Sequence, residues 1–261
     1  MGKSTIKNVL TIAGVDPSGG AGVLADVKVM SALGTYACAV VAALTAQNTR
    51  TVSAVLPVPA DFVAKQLETL FEDVSIDAVK IGMLGATDVM QVVADSLSRH
   101  RPRWVVLDTV MVAKSGDRLM PDESVDYFRQ HLLPLADLIT PNLPEAAVLL
   151  GKTEIRAQDM KQAACELFDL CAGRSAVYLK GGHLQGEKSC DVLYDGKKFV
   201  EYDALRVQTK NTHGTGCSLS SALAACLART NNLEQAALMA KNYISEAIAA
   251  SSALEVGSGH G

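Results

Sequence analysis

The 261-residue sequence has neither a long apolar run nor a concentration of charge of one sign. Its most apolar segment, YACAVVAALTA at 36–46, is too short to span a bilayer and is better explained as a buried strand. The formal charge of -4 comes from interspersed acids and bases, with no basic stripe that would neutralise a nucleic-acid backbone or an anionic membrane. We therefore expect neither nucleic acid nor a membrane as a partner.

Targeting signals are also missing. The opening residues MGKSTIKN precede only the short apolar run VLTIAG, without the longer apolar core and small-residue cleavage site of a secretory signal. Ile6 stands where a myristoylation signal has Ser or Thr. We therefore expect a cytoplasmic protein.

The six cysteines form neither a CxxC pair nor a Cys/His set at zinc spacing. Reduced thiols are the expectation. Five of them are explained as small buried side chains. Cys217 is the exception, because three turn residues in NTHGTGC (211–217) lead directly into the apolar helical run SLSSALAACLA.

Short apolar, β-branched runs alternate along the chain with longer runs of helical period. The predicted strands are 8–14, 40–44, 77–83, 104–109, 136–140 and 176–181. The predicted helices are 21–33, 59–73, 86–99, 121–131, 143–150, 157–171, 216–229 and 233–253. This alternation indicates an α/β fold with a mostly parallel sheet, and strands that are apolar almost throughout, without alternation, indicate burial on both faces. The pair of short runs at 192–202 around Asp195-Gly196 predicts an antiparallel hairpin at one edge. No linker or composition shift divides the chain, so we expect one domain, 1–261.

Polar or glycine-rich segments follow most of the predicted strands. They are GVDPSGGAG, GMLG, DTVMVAKSG, TPNLPE, KGGH and NTHGTGC. In open parallel sheets, ligands bind beyond the carboxyl ends of the strands. Segments of this kind at the carboxyl ends of the strands predict a ligand that carries phosphate, although DPSGGAG alone is a weak signal and is also consistent with a tight turn.

The segment TKNTHGTGC gives the strongest single prediction. Gly214 and Gly216 remove side chains where a helix begins, so the free amides of residues 214–217 can surround phosphate oxygens with the help of the helix dipole. A thiol in the same field is expected to have its pKa lowered below about 8.5, so Cys217 could accept a proton near neutral pH. The alternatives are a small residue tolerated at a crowded helix start and a covalent nucleophile.

Further candidates for a nucleotide site lie in TPNLPE and at two strand ends. Asn142 could reach phosphate while Glu145 holds magnesium through water, because magnesium takes few protein ligands. Asp108, at the end of its strand, could assist the metal, and Lys180 is a candidate phosphate contact. The alternatives are an ordinary acidic helix start, a strand-end cap and a surface lysine.

Seven segments in order resemble one family. LTIAGVDPSGGAGVLADVK, AQNT, KIGML, VLDTVMVAKSG, LITPNLPEA, LKGGH and TKNTHGTGCSLSSALA are similar to the hydroxymethylpyrimidine/phosphomethylpyrimidine kinases of thiamine biosynthesis, members of the ribokinase-like superfamily. The resemblance covers residues from about 8 to the end. It implies a three-layer α/β sandwich, a cytoplasmic homodimer, ATP with Mg²⁺, and two successive phosphorylations of 4-amino-5-hydroxymethyl-2-methylpyrimidine.

The resemblance also implies roles for individual residues. Cys217 would be the base that takes the acceptor proton, at a position where sugar kinases of the superfamily have aspartate, and the amides around Gly214, Thr215 and Gly216 would neutralise the transferring group. The nucleotide phosphates would lie along Asn142, Lys180, Thr212, His213 and Lys241, and magnesium near Asp108 and Glu145. The acceptor would contact Ala21, Asp26, Thr45, Gln47, Met83 and Val110. Gln47 suits an amino group beside a ring nitrogen, since its amide both donates and accepts.

Three other functions stay open. Pyridoxal kinase shares the fold, the nucleotide and the GTGC segment, and both acceptors are flat heteroaromatic alcohols, so a bifunctional enzyme is also consistent. A nucleotide- or vitamin-binding regulator would have kept the phosphate-binding amides and lost the catalytic activity, but no candidate catalytic position is missing. A thiol redox enzyme would use Cys217, but no resolving cysteine is evident beside it in the sequence.

Overall fold

The computed structural model describes residues 6–111, 122–182, 184 and 186–259. Within these ranges, nine strands form one sheet in the order β3-β2-β1-β4-β5-β6-β7-β8-β9. The strands are β1 (Asn8–Val15), β2 (Tyr36–Gln47), β3 (Val52–Pro57), β4 (Ala78–Ile81), β5 (Trp104–Leu107), β6 (Leu138–Ile139), β7 (Ala176–Leu179), β8 (Lys188–Tyr194) and β9 (Phe199–Leu205).

Eight α-helices flank this sheet in the described ranges. They are α1 (Gly22–Ala32), α2 (Ala60–Asp73), α3 (Thr87–His100), α4 (Asp122–Tyr127), α5 (Leu143–Leu150), α6 (Met160–Leu170), α7 (Thr215–Thr230) and α8 (Leu233–Ala250). The predicted helix 121–131 is irregular: α4 continues as a π-helical turn over Phe128–Leu132, and residue 121 lies outside the described ranges. The predicted helix 157–171 opens with a 3-10 turn at Ala157–Asp159.

The central six strands, β2-β1-β4-β5-β6-β7, are parallel, as predicted. The predicted hairpin is also confirmed, since β8 and β9 pair antiparallel at one edge. The opposite edge holds a strand that we did not predict, β3, which pairs antiparallel with β2. The sheet is thus mixed at both edges.

The two faces of the sheet are covered by different helices, which completes three layers. One buried cluster joins the sheet to α2, α3, α5 and α6. The other joins it to α1, α7 and α8, and alanines on α7 and α8 allow these two helices to approach closely. Strands buried on both sides account for their nearly continuous apolar sequences. The described helices include none with the length and apolarity needed to cross a bilayer.

Candidate active site

A cleft of about 630 Å³ opens at the carboxyl ends of the parallel strands. Its walls include the end of β2, the segments after β1, β4, β5, β6 and β7, and the start of α7, so the cavity lies at the strand ends where the sequence predicted a ligand. Residues 112–116 of the segment DTVMVAKSG and His183 of the segment KGGH lie outside the described residues. Of the residues singled out in the sequence, all but Asp26 line the cleft: Ala21, Thr45, Gln47, Met83, Asp108, Val110, Asn142, Glu145, Lys180, Thr212, His213, Gly214, Thr215, Gly216, Cys217 and Lys241.

The start of α7 forms a cradle of backbone amides. Gly214 precedes the helix with φ 70°, and a side chain there would meet the carbonyl oxygen of Gly20, so only glycine fits. In the described part of the chain, the amides of Gly216 and Cys217 donate to no acceptor. A Cβ at Gly216 would lie 3.5 Å from Lys180 Nζ, so the ammonium lies close to this glycine and both line the cleft. Such an arrangement suits a phosphate group.

The thiol of Cys217 lies beside this cradle, but its predicted acidity is wrong. Burial raises the pKa of Cys217 to about 11. The charge of Lys80 and a hydrogen bond from the Gly22 backbone lower it, while the carboxylates of Asp108 and Asp26 raise it further. Loss of hydration therefore has the largest effect on the pKa, and the thiol is protonated at neutral pH.

Lys180 connects the two acids that we predicted near magnesium. Its ammonium lies 3.2 Å from Asp108 Oδ1 and 3.9 Å from Glu145 Oε2. Burial acts to raise the pKa of Asp108, but Lys180 and Lys80 outweigh it and hold this pKa below its usual value. Burial raises the pKa of Glu145, and the nearby Asp108 adds to that effect, although Lys180 opposes it. Two carboxylates thus share one close cation.

These two acids fit a magnesium ion that keeps most of its water. No three acidic, histidine or cysteine side chains in the described residues form a complete metal site. Magnesium bound with a nucleotide needs only one or two carboxylates, because phosphates and waters supply the other ligands. Glu145 is fixed for that purpose by a capping box at the start of α5: Asn142 Oδ1 accepts the Glu145 amide, and Glu145 Oε2 accepts the Asn142 amide. Asn142 thus caps α5, and its contact with phosphate stays a prediction.

The opposite side of the cleft is built from side chains that hydrogen-bond one another. His213 Nε2 lies 2.7 Å from Asp16 Oδ2 and 3.4 Å from Gln47 Nε2. Thr45 Oγ1 lies 3.1 Å from Gln47 Oε1 and also donates to the Val15 carbonyl. His213, predicted beside the nucleotide, therefore contacts the residue predicted to bind the acceptor. The sequence analysis missed Asp16, whose signal was an acid at the start of a glycine-rich loop.

Asp26 is the predicted site residue that the structure places elsewhere. Its side chain is fully buried and forms an ion pair with Lys80 at 2.8 Å. Thr11 and Ser221 also donate to its carboxylate. An acid with all its acceptor positions occupied by protein donors, outside the cleft wall, does not reach a substrate. Lys80 itself, a lysine within the apolar strand β4, was not singled out.

Lys241 lies in the cleft as predicted, and it has a partner that we did not predict. Its ammonium lies 2.7 Å from Asp191 Oδ2 and donates to the Ser189 carbonyl at 3.1 Å. Asp191 is buried in β8 and also accepts hydrogen bonds from Tyr178 and the Gly181 amide. The lysine is thereby held at the edge of the cleft formed by α8 and β8.

A three-layer α/β sandwich whose cleft combines an amide cradle, two acids and cationic side chains defines a small-molecule kinase of the ribokinase-like type. The model of the phosphomethylpyrimidine kinase family matches residues 16–261, and the chain belongs to this family. It is 51% identical over 255 residues to the hydroxymethylpyrimidine/phosphomethylpyrimidine kinase of Escherichia coli, which covers 97% of this chain and 95% of the relative.

Solved structures agree with this assignment. The phosphomethylpyrimidine kinase of Clostridium difficile is similar with a TM-score of 0.82 and 40% identity, over 93% of this chain and 99% of that chain. The pyridoxal kinase of Staphylococcus aureus, in complex with AMP-PCP and pyridoxal, is similar with a TM-score of 0.85 and 35% identity, over 94% of this chain and 88% of that chain. The predicted fold class and family are confirmed.

Proposed function

We propose that this protein transfers the γ-phosphoryl group of ATP to the hydroxymethyl group of 4-amino-5-hydroxymethyl-2-methylpyrimidine, and then phosphorylates the monophosphate to the diphosphate. The observation that carries the proposal is that the amides of Gly216 and Cys217, which donate to no acceptor in the described residues, line the cleft together with the ammonium of Lys180. Family membership and the pyrimidine kinases among the relatives support the choice of acceptor.

In the proposed reaction, the acceptor oxygen attacks the γ-phosphorus while the bond from that phosphorus to the bridging oxygen breaks and ADP leaves. Phosphoryl transfer has a loose transition state, so positioning and charge stabilisation matter more than early proton removal. The amide cradle and Lys180 would hold the transferring group, and Lys241 would lie along the nucleotide. Magnesium, when bound near Asp108 and Glu145, would neutralise phosphate charge.

The hydroxyl proton must leave the acceptor, and Cys217 is the side chain proposed to take it. Because burial raises the pKa of Cys217 to about 11, the sulfur can take that proton only where its surroundings stabilise the thiolate. The amides of the α7 start and Lys80 are the groups that can supply that stabilisation. The amide cradle therefore contributes more to the proposal than the base does.

On the acceptor side, we propose contacts to Gln47, Thr45, Ala21, Met83 and Val110. Thr45 Oγ1 has one proton, and its close contact with the Val15 carbonyl takes it, so the amide of Gln47 is best oriented with Nε2 toward Thr45 and Oε1 toward His213. Its remaining donor and acceptor then suit the ring nitrogen and amino group of an aminopyrimidine.

A second acceptor has specific support. The pyridoxal kinases among the structural neighbours superpose with TM-scores as high as the pyrimidine kinase does. Phosphorylation of pyridoxal, alone or beside the pyrimidine, is therefore the alternative.

The decisive experiment measures ADP release with ATP and hydroxymethylpyrimidine, its monophosphate or pyridoxal in parallel, for the wild type and for Lys180→Met. We expect turnover with the first two acceptors and a large loss in the variant. Turnover with pyridoxal alone would replace the acceptor assignment. Tight nucleotide binding with no turnover of any acceptor would contradict the kinase activity and favour a regulator.

Several further features belong to the same proposal: one domain over 1–261, a homodimer, use of Mg²⁺ and a cytoplasmic location. The lack of a linker in the sequence supports one domain, the family resemblance supports the other three, and the shared pair of acids supports magnesium. Sedimentation equilibrium tests the dimer, and titration of activity with Mg²⁺ after chelation tests the metal.

A further inference from the structure

A pair of opposite charges is buried beneath the cleft where α1, β1, β4 and α7 meet. Lys80 Nζ lies 2.9 and 2.8 Å from the two carboxylate oxygens of Asp26, and neither side chain has exposed surface. The same carboxylate accepts hydrogen bonds from Thr11 Oγ1 at 2.6 Å and Ser221 Oγ at 2.7 Å. One carboxylate therefore joins four elements and fixes the lysine head group.

Stability does not account for this pair. Burial removes the hydration of both charges, and replacement of a buried ion pair by well-packed apolar side chains is often neutral or stabilising. The other residues of β4 are apolar and fully buried, so a fourth apolar side chain would continue the strand. The positive charge is better explained by its position relative to the cleft.

The ammonium of Lys80 has a donor to spare. A lysine head group carries three N–H donors, and Asp26 takes two of them. In the described part of the chain, the third has no acceptor. Although it has no exposed surface, Lys80 forms part of the cleft wall together with Cys217. A Cβ at Gly82 would lie only 2.9 Å from the ammonium, so this glycine leaves room for the head group.

The first turn of α7 places Cys217 over the pair. Ser221, which donates to Asp26, follows Cys217 by four residues, so the two side chains lie one turn apart on the same face of the helix. The charged groups around the sulfur are Lys80 on β4, Lys180 after β7, Asp26 on α1 and Asp108 after β5. After burial, which raises the pKa of the thiol, Lys80 has the largest single effect, and it lowers this pKa.

We propose that Lys80 is a positioning residue, held by Asp26 beneath Cys217 so that its ammonium stabilises negative charge on the sulfur. That charge arises when the thiol gives its proton to solvent, and it is neutralised again when the thiolate takes the proton of the acceptor hydroxyl during phosphoryl transfer. Only this catalytic consequence rests on the proposed function. The effect on the thiol itself can be measured without either substrate.

The test is the alkylation rate of Cys217 by iodoacetamide between pH 7 and pH 10, followed by peptide mass spectrometry in the absence of ligands. In Lys80→Met we expect a roughly tenfold lower rate, because a pKa raised by one unit leaves about a tenth of the thiolate. Lys80→Arg keeps the charge, so its rate should stay close to that of the wild type. Alkylation of Cys165 in the same samples serves as an internal reference.

Lys7→Met is the matched control. Lys7 pairs with Asp77 at 2.7 Å, and Asp77 immediately precedes β4 at the opposite end of the strands from the cleft. Loss of this pair removes a lysine charge next to the same strand without changing the charges around Cys217. The alkylation rate of Cys217 should be unchanged.

Loss of Lys80 alone leaves a buried carboxylate without its cation, so a second variant guards against misfolding. Asp26→Asn combined with Lys80→Met removes both charges. We expect slower alkylation than in the wild type, by less than in Lys80→Met, because the opposing effect of Asp26 is also gone. Unchanged alkylation in the folded double variant, with only its Tm lowered, would overturn the proposal. Slower alkylation in a protein that phosphorylates none of the three acceptors would support the charge placement and contradict the kinase function.

Discussion

His213 Nε2 lies 2.7 Å from Asp16 Oδ2, although the two residues are 197 positions apart in the chain. The same carboxylate accepts the amide and hydroxyl of Ser18 through Oδ1 and the amide of Ala21 through Oδ2. One side chain thus shapes the glycine-rich loop after β1 and attaches it to the segment that leads into α7. The position of the amide cradle relative to the acceptor side depends on this contact.

Asp16→Asn should therefore destabilise the protein and weaken acceptor binding. Burial would raise the pKa of Asp16, but hydrogen bonds from His213 and Ser18 outweigh it and hold this pKa below 3.8. A lowered native pKa means that the carboxylate stabilises the fold above the unfolded value of 3.8, and that this contribution is lost as the pH falls through the native pKa. We expect a loss of about 1–3 kcal/mol at pH 7, the usual cost of a disrupted buried hydrogen bond.

Urea unfolding of both proteins at several pH values checks this prediction. The difference in unfolding free energy should be constant from pH 5 to 7 and should shrink below about pH 4. A difference that instead grows at acid pH would show that Asp16 is protonated in the native state.

Hydrophobic patterning was sufficient for most of the fold. Runs that are apolar almost throughout, such as 8–14 and 176–181, predicted strands buried on both faces, and the structure has β1 and β7 there. Patterning failed for β3. Most of its side chains are exposed, it ends at Pro57, and a second proline, Pro59, follows closely. An exposed edge strand has no buried face to impose a period, so its pairing with β2 could not be predicted from local sequence.

The site could be predicted only where the signal was local. Glycines at a helix start identified the cradle, and the capping box was visible as Asn142 and Glu145 three residues apart. Lys80 and Asp26 could not be paired from sequence, because they are 54 residues apart and the ion pair exists only when β4 and α1 meet. The acidity of Cys217 was mispredicted for a similar reason: the helix dipole is local, but burial depends on the whole fold.

Gly216→Ala and Gly214→Ala form a matched pair that separates phosphate binding from folding. A Cβ at Gly216 would make ordinary contact with Lys180 Nζ, so the variant should fold normally while its methyl group occupies the cradle. We expect turnover to fall about 100-fold, comparable with loss of one donor from an oxyanion hole. Its Tm should be unchanged or slightly higher, since alanine favours helix more than glycine does.

Gly214→Ala should have the opposite signature. Its φ of 70° and the carbonyl of Gly20 leave no room for a side chain, so the loop and the helix start must move apart. We expect an unfolding free energy lower by at least about 1–3 kcal/mol. Thermal unfolding and ATP turnover of both variants separate the effect on folding from the effect on phosphate binding. Full activity in a stable Gly216→Ala would contradict phosphate binding by the amide cradle.

Glu145→Gln should weaken magnesium without disturbing α5. The amide oxygen of glutamine can still accept from the Asn142 amide and from Thr109, which now bond Glu145 Oε2 at 2.9 Å. The variant removes one of the two negative charges that share Lys180. We expect the Mg²⁺ concentration at half-maximal activity to rise roughly tenfold, as for one lost charge contact of about 1.4 kcal/mol, with an unchanged Tm. An unaltered Mg²⁺ titration would exclude Glu145 from the metal site.

Cys217→Ser tests whether the thiol is a base or only part of the cleft wall. If sulfur takes the acceptor proton, turnover should fall on the order of a hundred-fold, the general scale for an acid or base group, while nucleotide affinity stays the same. Because burial raises the pKa of Cys217 to about 11, thiolate increases as the pH rises from 7 to 10. The kcat/KM of the wild type should therefore increase over that range, and that of the variant should stay flat.

Cys190→Ser is the control. Cys190 is a partly buried thiol on β8 outside the cleft wall, so this variant should behave as the wild type. Normal turnover of Cys217→Ser would leave the amide cradle and Lys180 as the groups that lower the barrier.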